Sequence, residues 1–260
     1  MLPPVAEARY PSLASRAVFV TGGASGIGEC IVTACARQGM KVGFVDRDAA
    51  AGEALVAKLS GDATIVHRPH FVAVDVTDAA AVRDALRVLR IDCGPFTGLV
   101  NNAANDLRLA LDEVTPEAWD SGIAVNLKQM FFCAQAVMPD MRAAGGGSIV
   151  NMGSASWRNK QGGMPIYTTS KSAVTGLTRS LARDLGPHGI RVNTIVPGWV
   201  MTEKQLRLWA TEEARADVLR VQCLAEHLQP EDIARMTLFL LADDSRMCTA
   251  QDFIVDAGWS

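Results

Sequence analysis

Residues 17–28 read AVFVTGGASGIG. The first five are apolar or β-branched and have the length of a buried strand. Four glycines then fall within positions 22–28, and a helical pattern over 29–38 follows, closed by Gly39 as a good C′ residue. Strand, glycine turn and helix in immediate succession open a βαβ unit. Outward from there, short β-branched runs occupy 41–46, 70–74, 98–101, 148–152, 191–196 and 253–255. Helical patterns fill the intervals: 49–59, 78–90 with Thr77 or Asp78 as N-cap, about 116–144, 166–185, then near 203–221 and 230–241. The strands are apolar throughout, so both faces need cover, which helices on both sides of a parallel sheet provide. The expected α/β architecture is a single domain over 16–260. It is a doubly wound parallel sheet of about seven strands with helices on both faces, preceded by a flexible lead-in over 1–15.

Composition narrows the function classes. Of 260 residues, 49% are hydrophobic and 20% charged, which excludes a disordered chain. The formal net charge of −3 lacks the basic excess of a nucleic-acid-binding domain. No uncharged apolar run reaches the ~18 residues that a membrane span needs. The opening MLPPVAEARYPSLASR has no basic start before an apolar core, so no secretory leader is read. The six cysteines form no Cys-x-x-Cys pair, and the four histidines show no metal-ligand spacing. Reduced thiols in a cytoplasmic protein, with no metal, are expected.

The glycine turn has a chemical reading. Gly22, Gly26 and Gly28 let the backbone approach a pyrophosphate closely, and Ser25 and Ile27 lie between them. The helix N-terminus then offers unpaired N–H groups and a partial positive charge to that anion. Asp46 ends the second strand 18 residues past Gly28, where a carboxylate accepts from adenosine ribose hydroxyls and repels a 2′-phosphate. NAD is therefore expected over NADP, although Arg47 next to it is a group that holds such a phosphate. Asp75 and Val76 follow the third strand, placed to meet the adenine ring. Asn102 follows the fourth, in NNAA, where small residues admit a ribose. For Asp46, Asp75 and Asn102 the alternative is a plain strand-end cap.

Tyr167 and Lys171 stand four apart in YTTSK, on one face of a helix. An ammonium beside a phenol favours the phenolate and lowers a pKa that is ~10 in free tyrosine, making Tyr167 a general base. Ser154 follows the fifth strand and is placed to hold the substrate oxygen. Asn126 lies within an apolar helical stretch, IAVNLK, where an amide needs a hydrogen-bond reason. Either it bonds a neighbouring carbonyl, or it holds a water against Lys171.

Taken jointly, TGGASGIG, NNAA, Asn126, Ser154, YTTSK and PGWVMT resemble the short-chain dehydrogenase/reductase family, in its order and spacing, from about residue 17 to 259. The resemblance implies a Rossmann-type fold and a catalytic tetrad of Asn126, Ser154, Tyr167 and Lys171. In it, Tyr167 and Lys171 also hold the cofactor. It further implies that residues 197–202 border the nicotinamide, with Val200 and Thr202 near the carboxamide, and that the chain forms a homotetramer. Ala104 departs from the glycine that many members carry.

Several segments are similar to bacterial aldose 1-dehydrogenases: NNAANDLR, GSASW, Gln222-Cys223-Leu224 and the ending DAGW. Those enzymes oxidise a sugar at the anomeric carbon to a lactone. The likeness implies Ser154 and Tyr167 at the reacting hydroxyl, Asn105 and Asp106 as polar groups beyond the cofactor ribose, and Trp157 against a sugar C–H face. Trp157 as a loop anchor and Asn105 as a turn residue are the alternatives. Arg158-Asn159-Lys160 departs from the sugar enzymes and fits an acidic or differently shaped substrate. Two other functions stay open: a reductase or dehydrogenase of keto-acyl, polyol or steroid-like substrates, and a dinucleotide-binding sensor without turnover.

Overall fold

Each of the first six strands is followed by a helix before the next strand, because parallel neighbours can be joined only by a crossover. The computed structural model describes residues 8–260. The strands are β1 (Ala17–Thr21), β2 (Lys41–Asp46), β3 (His70–Ala73), β4 (Gly98–Asn101), β5 (Gly147–Met152), β6 (Ile190–Pro197) and β7 (Asp252–Val255). The helices are α1 (Gly26–Arg37), α2 (Ala49–Ser60), α3 (Ala79–Cys93), α4 (Pro116–Ile123), α5 (Gln129–Ala143), α6 (Pro165–Leu185), α7 (Glu203–Leu208), α8 (Glu212–Val221) and α9 (Pro230–Leu241). The seven strands run in the order β3-β2-β1-β4-β5-β6-β7, all parallel. Strand order reverses between β1 and β4, so their carboxyl ends diverge and open a crevice.

Alternation along β1 divides the core. Val18 and Val20 pack with Ile31 and Val32 of α1, Leu55 of α2 and Leu238 of α9. Phe19 points the other way, against Val82 and Leu86 of α3, Val137 of α5 and Leu181 of α6. This is the expected doubly wound sheet, covered on both faces.

Four local features differ from the sequence-based expectation. Of the lead-in expected over 1–15, residues 1–7 lie outside the described residues, and from residue 8 the chain is docked. Gln38 clamps it, donating from Nε2 to the Ala8 carbonyl at 2.7 Å and accepting from the Tyr10 N–H at 3.0 Å, while Leu13 is fully buried. Helix α1 begins at Gly26, inside the glycine turn. The stretch 116–144 is helical throughout, but a π-helical turn at Ala124–Lys128 separates α4 from α5. The stretch 203–221 is two helices, because Thr211 accepts from the Ala214 N–H and caps a fresh helix start.

A chain of buried hydrogen bonds ties the sheet to α6. Asn101 Nδ2 donates to Asn151 Oδ1 at 2.8 Å, Asn151 Nδ2 donates to Thr178 Oγ1 at 2.9 Å, and Thr194 Oγ1 donates to Thr178 Oγ1 at 2.8 Å. Thr178→Val keeps the volume and strands two donors. It is expected to cost about 1–3 kcal/mol, a fall of about 2–10 °C in Tm by thermal denaturation. An unchanged Tm would show that the chain carries no net stability.

Candidate active site

The glycine turn is built by close approach. A Cβ on Gly28 would lie 1.9 Å from the Gly22 carbonyl oxygen, and one on Gly22 would lie 2.7 Å from Ala103 Cα. Gly22 and Gly26 have φ of +65° and +55°, a region costly for other residues. Asn102 latches the turn to β4, donating from Nδ2 to the Gly22 carbonyl at 2.8 Å and to the Thr21 carbonyl at 3.2 Å. Asp46 supports it from β2, its carboxylate accepting from the Ala24 N–H at 3.1 Å and the Asp48 N–H at 3.1 Å. Both side chains thus make the strand-end contacts of the structural alternative, and both also line the groove.

That groove, about 930 Å³, runs along the carboxyl ends of β1, β2 and β3 past Gly22, Ser25, Gly26, Asp46, Asp75, Val76, Asn102 and Asn105. Asp75 is exposed, and its Oδ1 accepts from the Thr77 N–H at 2.9 Å and the Thr77 hydroxyl at 2.8 Å. Those bonds hold its carboxyl below the ordinary carboxylate range. Bare glycine backbone, a helix start whose Ser25 makes no side-chain cap, and acidic groups at the far end fit a dinucleotide.

A second cleft of about 220 Å³ continues from it beyond β4 and β5. It shares Asn102 and Ala104 with the groove and is lined by Ile27, Ser154, Tyr167, Lys171, Val200 and Thr202. Tyr167 and Lys171 lie on α6, with Lys171 Nζ 5.6 Å from the Tyr167 ring centroid. Ser154 starts the short 3-10 turn after β5, and its Oγ accepts from the Ser156 N–H at 3.1 Å. Asn126 sits in the π-helical turn, fully engaged: Oδ1 accepts from the Asn105 N–H at 2.8 Å and Nδ2 donates to the Asn105 carbonyl at 3.0 Å. These are the contacts of a structural amide, and they pin the loop that leaves β4. π-Turns of this kind recur at functional sites.

Burial reverses the expected titration of the pair. Lys171 is 1% exposed and donates to the Met152 carbonyl at 2.7 Å, and desolvation pushes it down to about 7. The Tyr167 phenol is pushed up to about 12. Desolvation dominates, a hydrogen bond with Ser154 pulls it down, and the Asp106 carboxylate adds to the rise. An amine that holds its proton weakly at neutral pH gives the phenol little charge to respond to.

Two residues expected at the substrate lie elsewhere. Trp157 does not line the cleft. Its ring lies under Arg158, 5.5 Å from the guanidinium carbon, and the tryptophans that do line the cleft are Trp199 and Trp259. Asn105 faces the dinucleotide groove, because Asn126 holds its backbone there, and Asp106 and Arg108 reach the cleft in its place. Lys204 Nζ donates to Asp106 Oδ1 at 2.6 Å and Gln205 Nε2 to Oδ2 at 2.7 Å. Burial pushes the Asp106 carboxyl up, but those two bonds and the lysine charge outweigh it and leave it below the ordinary range. Arg108, Gln161 and Gln205 were not singled out from sequence. The signal for Arg108 was its place in NNAANDLR, two residues past Asp106.

Comparison with known proteins follows this geometry. A family profile described as "Enoyl-(Acyl carrier protein) reductase" matches residues 22–260. The chain is 46% identical over 252 residues to the "Probable galactose dehydrogenase GalD" of Rhizobium meliloti, covering 97% of this chain and 98% of the relative. It is 41% identical over 255 residues to a D-xylose 1-dehydrogenase of Caulobacter vibrioides, covering 98% and 100%. Among solved structures, a 3-oxoacyl-[acyl-carrier protein] reductase from Brucella melitensis with bound NAD superposes with a TM-score of 0.89 at 29% identity, covering 100% of this chain and 98% of that one.

The buried ammonium sets a pH-dependent stability. Below its folded value of about 7, Lys171 is charged in folded and unfolded chains alike, and burial costs in full. Between about 7 and 10.5 the folded chain gives up the proton first, so the cost shrinks as pH rises. Lys171→Met is therefore expected to raise Tm more at about pH 6 than at about pH 9, read by thermal denaturation without added dinucleotide. Equal shifts at both values would show that burial does not strain this proton.

Proposed function

The chain belongs to the short-chain dehydrogenase/reductase family, and from that premise we propose that it oxidises an aldose at C1 to the lactone, with NAD as the hydride acceptor. The observation that carries this reading is the cleft where Tyr167 and Ser154 meet walls of Trp199 and Trp259 and the polar groups of Asp106, Arg108 and Gln205. Its volume suits a single sugar ring, and aromatic walls with a polar rim suit a molecule whose C–H faces and hydroxyls alternate. The galactose and xylose dehydrogenases among its relatives support the same substrate class.

Tyr167 takes the proton of the C1 hydroxyl, and Ser154, already bonded to the phenol, holds the substrate oxygen as its carbon loses hydride. Bound NAD supplies the hydride acceptor. Lys171 uses one ammonium donor on Met152, and its other two fit ribose hydroxyls. Acceptor oxygens on those donors favour the charged amine, and a charged amine beside the ring lowers the phenol from its burial-raised value. Asn126 acts by position, fixing the Asn105 backbone and with it the loop that carries Asp106 and Arg108. Asp46, on the rim of the groove, supports NAD over NADP, since a second anion there would meet its carboxylate. A homotetramer belongs to the same reading, supported by the exposed Trp119 of α4, Phe131 of α5 and Ile254 of edge strand β7.

An initial-rate screen of aldoses with NAD and NADP, run beside ketones with the reduced cofactors, tests the proposal by absorbance at about 340 nm, the reduced nicotinamide band. Reduction of a ketone with no oxidation of any aldose would overturn it. Tyr167→Phe is expected to lower kcat by ~10²–10⁴ while titration shows that NAD still binds; turnover at the parent rate would remove Tyr167 from the chemistry. Asp46→Asn keeps the acceptor and removes the charge. The ratio of kcat/KM for NAD over NADP is expected to fall by about tenfold or more, and an unchanged ratio would place cofactor choice elsewhere.

A further inference from the structure

Arg108 lines the cleft with a guanidinium that no carboxylate among the described residues contacts. It leaves the loop after β4 and lines the space that Tyr167 and Ser154 border. Its guanidinium carbon lies 4.0 Å from the centroid of the Trp209 ring, at the end of α7. Its Nε is buried with no hydrogen-bond partner. The obvious counter-ion, Asp106, is already spent: Lys204 holds one oxygen and Gln205 the other. A guanidinium stays charged at physiological pH, and a buried donor without an acceptor is costly. Contact with the Trp209 ring restricts where the guanidinium can move before anything binds.

We propose that Arg108 is the specificity-determining residue of the cleft. Its two terminal nitrogens donate in parallel to two neighbouring oxygens of the substrate, away from the reacting carbon. A planar fork of this kind matches either two adjacent hydroxyls of an aldose or the two oxygens of a hexuronate carboxylate. Lys204 and Gln205 have a part in this, since by occupying Asp106 they leave the Arg108 charge for the substrate. The inference rests on the aldose reading above and adds which residue recognises the sugar.

The test compares the parent protein with Arg108→Met, which keeps apolar cover on Trp209, and Arg108→Lys, which keeps the charge without the fork. Substrates are the best aldose of the panel, its singly deoxygenated analogues and the matching hexuronate. The parent is expected to lose ~10–100-fold in kcat/KM when a hydroxyl that Arg108 reads is removed. In Arg108→Met that penalty vanishes, because the full aldose has fallen to the level of its analogue, mainly through KM. Arg108→Lys recovers part of the discrimination. A hexuronate preferred by the parent and not by Arg108→Met identifies the oxygen pair as a carboxylate. A merely structural Arg108 would slow every substrate by one factor and leave the ratios unmoved, and unmoved ratios in an active parent background overturn this inference alone. A parent that oxidises neither aldose nor hexuronate overturns the functional reading and this inference with it. Should Arg108→Met fail to fold, the same ratios are read on Arg108→Lys.

Discussion

Gly28 passes so close beneath the carbonyl of Gly22 that a single methyl group would sit 1.9 Å from its oxygen. That contact fixes where the first helix starts, and the start of that helix fixes the rest of the site. Because α1 begins inside the turn, its unpaired N–H groups emerge at the carboxyl end of β1, beside the point where strand order reverses. Asn102 and Asp46 then close on the turn from the neighbouring strands, one through backbone carbonyls and the other through backbone N–H groups. The loop is consequently rigid without any side chain filling it, which is what a close anion-binding surface demands.

A second theme is burial of polar groups in a sheet that is otherwise apolar. The Asn101–Asn151–Thr178–Thr194 chain ties β4, β5 and β6 to one another and leaves Asn101 Oδ1 without a partner. Lys171 emerges from the same region and is not satisfied, having one acceptor for three donors. The fold therefore supplies a firm floor and, on it, an amine whose proton is loosely held. Groups with displaced proton affinities in a cleft are where acid–base chemistry is concentrated.

How much of this was legible in the sequence follows from whether each signal was local. The run AVFVTGGASGIG carries strand, turn and helix within twelve positions, so sheet class and groove were readable. Tyr167 and Lys171 were readable as a pair because helical spacing is local, but their titration was not, since it depends on how much water the folded chain excludes. Asn126 was visible as a misfit in an apolar stretch, whereas its partner, the Asn105 backbone, is 21 residues away and could not be named. Trp157 failed for a related reason. Its place after Ser154 says that it is near the cleft, while only the folded chain shows its ring beside the Arg158 guanidinium and outside the cleft lining. Arg108 escaped notice because its lack of a partner is a property of the folded arrangement alone.

The cover over the cleft is fastened differently from the rest of the molecule. α7 buries none of its residues and α8 only Val218. What holds α7 is polar or stacked: Lys204 and Gln205 on Asp106, the Trp199 indole on Gln205, and Arg108 against Trp209. Ionic strength weakens the charged part of such a set and leaves apolar packing nearly untouched. The fastening of α7 beside the cleft is therefore expected to respond to salt in a way that the packed seven-stranded sheet does not.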